Sequence, residues 1–123
     1  MTIGTAVKTS LAMLKETPKE KPLYELNEKV IVHLYGNQFR IGFVKEIITA
    51  KRCVYDHEVY AVKQKWLLAH FLPERVKDAE SLYGSPWVYL IQYTDKKPWA
   101  KEQYNGVQHI RKYEGLNATL YGE

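Results

Sequence analysis

The chain has 123 residues, of which 46% are apolar and 26% charged. A chain of that length and balance can bury one core without disulfides or a bound metal. It excludes a mostly disordered protein and a two-domain enzyme with separate nucleotide and substrate domains. Lys and Arg number 18 against 14 Asp and Glu, a formal surplus of +4. The surplus is spread along the chain, whereas nucleic-acid binders gather it into a stripe. The single cysteine, Cys53, excludes an intrachain disulfide and a multi-thiolate zinc site. No apolar run approaches the ~20 residues of a membrane span, and the N-terminus lacks the apolar core of a secretory signal. The expectation is a soluble, cytoplasmic chain with no membrane partner.

In chain order, residues 3–16 read as an amphipathic helix. Ile3, Val7, Leu11 and Leu14 recur at helical spacing, Thr2 or Thr5 caps the start, and Pro18 stops the run. Residues 17–23 read as a Pro- and Lys-rich linker. Strands are expected at 29–35, at 39–49 with a bulge or bend at Gly42, and at 58–66, with 50–57 as a connection. Residues 67–84 suggest a short strand and then a helix, with Pro73 as first helical residue and Gly84 as left-handed cap. Residues 86–94 read as a strand with one core face and one semi-exposed aromatic face. Residues 95–98 read as a turn, 106–113 as a last strand and the final ten residues as an irregular tail.

Short strands joined by brief turns predict mostly antiparallel pairing. The predicted class is mainly β with short helices, α+β. The predicted organisation is an N-terminal helix at 1–17 and one β-rich domain at 24–123. Within it lie a barrel-like core at 24–73 and a strand-rich extension at 85–114.

The segment LNEKVIVHLYGNQFRIGFVKEI (26–47) carries Lys29-Val30, Val32, Gly36, Phe39, Gly42, Val44 and Ile47 in an outline that resembles the opening of SH3-like small β-barrels, the Tudor-like group especially. The resemblance covers residues 24–73 and implies an antiparallel barrel, with Tyr60-Ala61-Val62 as third strand and Leu72-Pro73 as the chain's return. It places Tyr35 and Phe39 at the ligand-binding first turn and Tyr60 near a strand position. Gln64-Lys65 stands where the usual aromatic-acidic turn would be, a departure from methyl-lysine recognition. Fold analogy fixes no function.

Ten Tyr and three Trp are more than a small core easily hides, and their polar tips need water or a partner. Trp87, Tyr89, Tyr93, Trp99 and Tyr104, with Lys96, Lys97, Lys101 and Arg111 nearby, suit a protein interface or a stacking surface for bases. The expected contact set is therefore Tyr35, Phe39, Tyr60, Trp87, Tyr89, Tyr93, Trp99 and Tyr104. Catalytic signals are weaker. Cys53 and His57 are four apart, a spacing open to a nucleophile pair or to part of a metal site. His33, His70 and His109 sit in separate segments. Glu25/Glu28 and Asp78/Glu80 read as solvated pairs. No phosphate loop, zinc-protease helix or nucleophile elbow occurs. The sequence reading is a non-catalytic interaction or complex-subunit module, with no cofactor or metal. Its partner is another protein or a second copy. A single-stranded nucleic-acid binder and a small enzyme or enzyme subunit are the alternatives.

Overall fold

The computed structural model describes residues 1–95 and 100–113. Thr2 opens the first helix, α1 (Ile3–Met13), in extended backbone, and its hydroxyl accepts the Thr5 N–H at 3.1 Å. Such a cap stabilises a helix by about 1 kcal/mol. Ala6 and Ser10 are the buried residues of α1, and the Ser10 hydroxyl is satisfied by donating to the Ala6 carbonyl at 2.7 Å. The small side chains on this face let α1 pack against two further helices, α2 (Ala50–Lys63) and α3 (Phe71–Lys77).

The chain divides into two compact units. One, the helical unit, comprises Met1–Lys21 and Ile48–Trp87. The other, the sheet unit, comprises Pro22–Ile47 and the chain from Val88 onward.

In the helical unit, α2 replaces the expected connection and the strand at 58–66. Thr49 caps it, accepting the Arg52 N–H at 3.1 Å. Ala50, Cys53, Val54 and Val62 are its buried residues, a helical spacing that runs through the supposed loop. A period-two reading begun at Glu58 misses that stripe, because it omits the half of the pattern lying before it. The region of the supposed short strand enters α3. Pro73 is the third helical residue rather than the first; in the opening turn its missing N–H costs no helical bond. A break at Asp78 leads into α4 (Ala79–Tyr83), and Gly84 ends it at φ 68°, the left-handed cap that glycine adopts without strain. Leu72, Pro73, Val76 and Ala79 complete the core with the α2 residues. Leu82 on α4 is exposed.

The sheet contains β1 (Lys29–His33), β2 (Phe39–Thr49), β3 (Trp87–Tyr93), β4 (Glu102–Gly106) and β5 (Ile110–Lys112). It is antiparallel and open, in the order β4-β3-β2-β1-β5. A closed barrel is thus not what the strands form, and the helices α2 to α4 occupy the sequence where the third barrel strand was expected. The α+β class and the N-terminal helix stand. The expected strand at 106–113 is a 3-10 turn, Val107–His109, followed by β5, while β4 went unforeseen because EQYNG carries no apolar alternation.

Register explains Gly42. Lys29 to His33 pair in unbroken order with Phe43 to Phe39, so β2 has no bulge there. A Cβ on Gly42 would lie 2.5 Å from the Gln92 carbonyl oxygen and 2.6 Å from Ile91 Cγ2. The glycine permits the β3 backbone to come close. Val30, Ile31, Val32, Val44, Val88, Tyr89, Leu90, Ile91 and Ile110 form the core around this sheet. Residues 88–91 are buried on both faces, as suits a strand with β2 on one side and β4 on the other. Of the expected semi-exposed aromatic face of this strand, Tyr89 and Tyr93 are therefore interior and Trp87 is half-buried.

Candidate functional site

The expected contact residues separate into three groups. Tyr89 and Tyr93 are interior. Tyr89 is fully buried, its ring edge-on to Tyr24 at 5.1 Å, and its hydroxyl accepts the Leu23 N–H at 2.9 Å. The Tyr93 hydroxyl donates to Gln103 Oε1 at 2.8 Å and accepts from Asn105 Nδ2 at 3.3 Å. Burial pushes the Tyr93 hydroxyl pKa up, against the opposing pull of Asn105 and Arg40. Both tyrosines serve the fold because their polar tips find partners inside the unit.

Arg40 organises the polar part of this core. It is 4% exposed. Its guanidinium forks onto Asp95 through Nε and Nη2, donates from Nη1 to the Ala100 carbonyl at 2.8 Å, and lies 3.8 Å over the Tyr93 ring. The arginine thus ties Asp95 and Ala100 together, and its burial withholds it from a phosphate in solvent. Trp87 is half-buried, and its indole N–H donates to the Glu20 carbonyl at 2.7 Å.

A second group lies on the strands and hairpin turn of the sheet unit. Tyr35 is 99% exposed at the turn. Phe39 is half-buried and stacks on His33 at 4.8 Å, and His33 Nε2 donates to the Gly36 carbonyl at 2.8 Å. Tyr104 lies on β4 at 37% exposure. Trp99 falls outside the described residues, as do Lys96 and Lys97. The structure therefore does not gather the expected set into one surface.

The helical unit carries the third group. Tyr60 is 56% exposed on α2, and its ring meets that of Trp66 edge-on at 5.5 Å. Trp66 is 73% exposed and Leu68 65% exposed. Lys65, at φ 64°, turns the chain out of α2, and Trp66 and Leu67 N–H groups return to the Ala61 carbonyl. That turn is what brings Trp66 back beside Tyr60. Sequence reading singled out Tyr60 but not Trp66 or Leu68. The usable signal was an apolar cluster continuing past the last position at which the α2 stripe can bury it.

In the same unit α2, α3 and α4 enclose a groove of about 320 Å³ lined by Val54, Glu58, Phe71, Glu74, Arg75, Asp78 and Leu82. Val54 and Glu58 are one turn apart on α2, and Phe71, Glu74 and Arg75 share one face of α3. The Arg75 Nη1 to Glu58 Oε1 distance is 3.3 Å. None of the groove residues except Asp78 was singled out by the sequence, since a strand assignment at 58–66 separates Val54 and Glu58 from α3.

The nucleophile alternative has no support in the local chemistry. Cys53 and His57 are one turn apart on α2, with Sγ and Nδ1 3.9 Å apart. Nδ1 lies 3.0 Å from the Cys53 carbonyl oxygen. A carbonyl can only accept, so Nδ1 carries the hydrogen and has no lone pair to take the thiol proton. Burial pushes the Cys53 thiol pKa up, against a smaller opposing effect from its contact with Tyr83 at 3.4 Å. A neutral, buried thiol is a poor nucleophile. His33 and His70 each pack on a phenylalanine, Phe39 and Phe71 respectively, and His109 neighbours Gln108. Glu28 accepts the Glu25 N–H at 3.0 Å, a turn-forming role. Among the described residues, no three His, Cys, Asp or Glu side chains group to hold a metal, and no helix is long and apolar enough to cross a membrane.

No family model matches the chain, and no curated protein or solved structure matches it either.

Proposed function

We propose that this chain is a non-catalytic interaction module that docks another protein through the helical unit. The observation that carries the reading is the ring pair Tyr60–Trp66 with Leu68, all more than half exposed. Large rings clustered in water give contact area at low entropy cost and favour association. A second support is the groove in the same unit, with buried Val54 at its floor and charged residues at its rim.

The nucleic-acid alternative is less well served. The groove's rim holds three acids against one arginine, and local acid repels phosphate. Arg40 and Lys45 in the sheet unit are engaged by Asp95 and Glu102.

The small-barrel resemblance remains part of this reading, as a proposal for the sheet unit. It is supported by β1 lying between β2 and the last strand, β5. First and last strands that pair are the connection by which a five-stranded meander curls on itself. On this reading α2 to α4 are an insertion between the second and third strands that carries the docking surface.

The test compares the whole chain with a Tyr60→Ser/Trp66→Ser variant as bait in native extract, with mass spectrometry of bound proteins and nucleic acid. A protein held by the first and lost by the second supports the reading. Identical protein sets would remove it, and RNA lost with the rings would favour the nucleic-acid alternative instead. Light scattering on the isolated chain reports whether the partner is a second copy.

A further inference from the structure

The rim of the helical groove has the opposite charge balance from the chain as a whole. The chain carries a surplus of +4, while the groove presents Glu58, Glu74 and Asp78 against Arg75 alone. Its apolar residues are graded. Val54 is 4% exposed and forms the floor, whereas Phe71 and Leu82 are 37% and 68% exposed. The cavity of about 320 Å³ falls at the lower end of pocket size and suits a few large aliphatic side chains. We infer that this groove takes a cationic amphipathic helix from a partner protein, with leucine-sized side chains against Val54, Phe71 and Leu82 and lysine or arginine heads against Glu74 and Asp78.

The charge pattern chooses this occupant over the others. A second copy of this chain brings a mixed surface, and a nucleic acid brings like charge to the rim. A basic helix satisfies both features at once, since its apolar face fills the groove and its long cationic side chains reach past that face to the carboxylates. Opposite potentials across the contact also steer the encounter. Arg75 contributes in a definite sense. It neutralises Glu58 at 3.3 Å and opposes an incoming cation. The inference rests on the reading that the chain binds proteins, and it adds the chemistry of one partner segment.

The test uses a fluorescein-labelled 14-residue peptide of leucine and lysine in amphipathic helical order, with fluorescence polarisation on the full chain. Controls are the same peptide with glutamate for lysine and one with serine for leucine. The leucine–lysine peptide is expected to saturate at one per chain, and both controls to bind at least about tenfold more weakly. Glu74→Gln/Asp78→Asn is expected to weaken binding about tenfold, and Leu82→Ser severalfold. Arg75→Gln is expected to tighten it, a change in the opposite direction that simple loss of folding cannot produce. No saturable binding, or binding indifferent to all three variants, overturns the inference. So does displacement of the peptide by a single-stranded RNA oligonucleotide that itself depends on Glu74 and Asp78. If the groove variants have no effect while the Tyr60→Ser/Trp66→Ser bait still loses its protein, the docking reading stands and only the groove's occupant is wrong. If both fail, the docking reading falls with it.

Discussion

Tyrosines of the sheet unit and aromatic rings of the helical unit are the same chemistry put to opposite uses. In the sheet unit Tyr24 donates to the Ile110 carbonyl at 2.9 Å, Tyr89 accepts from Leu23, and Tyr93 joins Gln103 and Asn105. A buried ring is tolerated there because its hydroxyl is satisfied. In the helical unit, Tyr60 and Trp66 touch each other and water. The difference teaches that aromatic surplus alone does not locate a surface. What decides is whether the polar tip finds an internal partner, and among the described tyrosines of the sheet unit Tyr35, at its hairpin turn, departs furthest from that pattern.

The contrast can be broken most forcefully at Arg40. Arg40→Met removes the guanidinium from Asp95, the Ala100 carbonyl and the Tyr93 ring. Losing one partner of a buried pair costs about 3 kcal/mol. The lower end of the range applies, since the Asp95 side chain is 30% exposed and water compensates part of the loss. A urea-unfolding midpoint that falls accordingly is the expected result. Gly42→Ala comes next. The added methyl meets backbone, the Gln92 carbonyl, at 2.5 Å, so the strand itself must shift, at roughly 1–3 kcal/mol by the same measurement.

A third loss is driven by pH. Burial holds the Tyr24 and Tyr93 hydroxyls above the ordinary 10.0 and the Cys53 thiol above the ordinary 9.0. The unfolded chain therefore gives up these protons first. The stabilisation is complete below about pH 9, declines as the unfolded groups ionise, and is gone once pH passes the raised folded values. Urea midpoints across the alkaline range should fall, and the fall should be smaller in a Tyr93→Phe variant, which lacks one of the buried hydroxyls. Tyr89→Phe is smaller. It removes the hydrogen bond that the Leu23 N–H donates, for about 1 kcal/mol. Trp66→Ser should change stability least, within about 0.5 kcal/mol, because its ring is 73% exposed. A large drop in that variant would place Trp66 among the structural rings and erase the contrast between the units.

Strong local signals carried the legible parts of the fold. Thr2 with the Ile3–Leu14 spacing marks α1, and the apolar runs at 29–35 and 39–49 mark β1 and β2, the latter with the same bounds in the structure. Gly84 marks a helix end through its positive φ. The misreadings arose where local preference was ambiguous. Val59, Ala61 and Val62 suit strand or helix, and only the earlier partners Ala50, Cys53 and Val54 resolve the period. Of the candidate site, Tyr60 was legible and Trp66 was not. The Lys65 turn that pairs them follows from backbone conformation, not from composition.

By itself, then, the sequence determined the class of fold, the N-terminal helix, the first hairpin and the excess of rings, because each rests on contacts within a few residues or on composition. Tertiary structure alone decided which tyrosines are interior, that the sheet is open, and that Glu58, Glu74 and Asp78 rim one groove. Those outcomes depend on side chains far apart in the chain competing for burial and hydrogen-bond partners, and no local pattern records which of them wins.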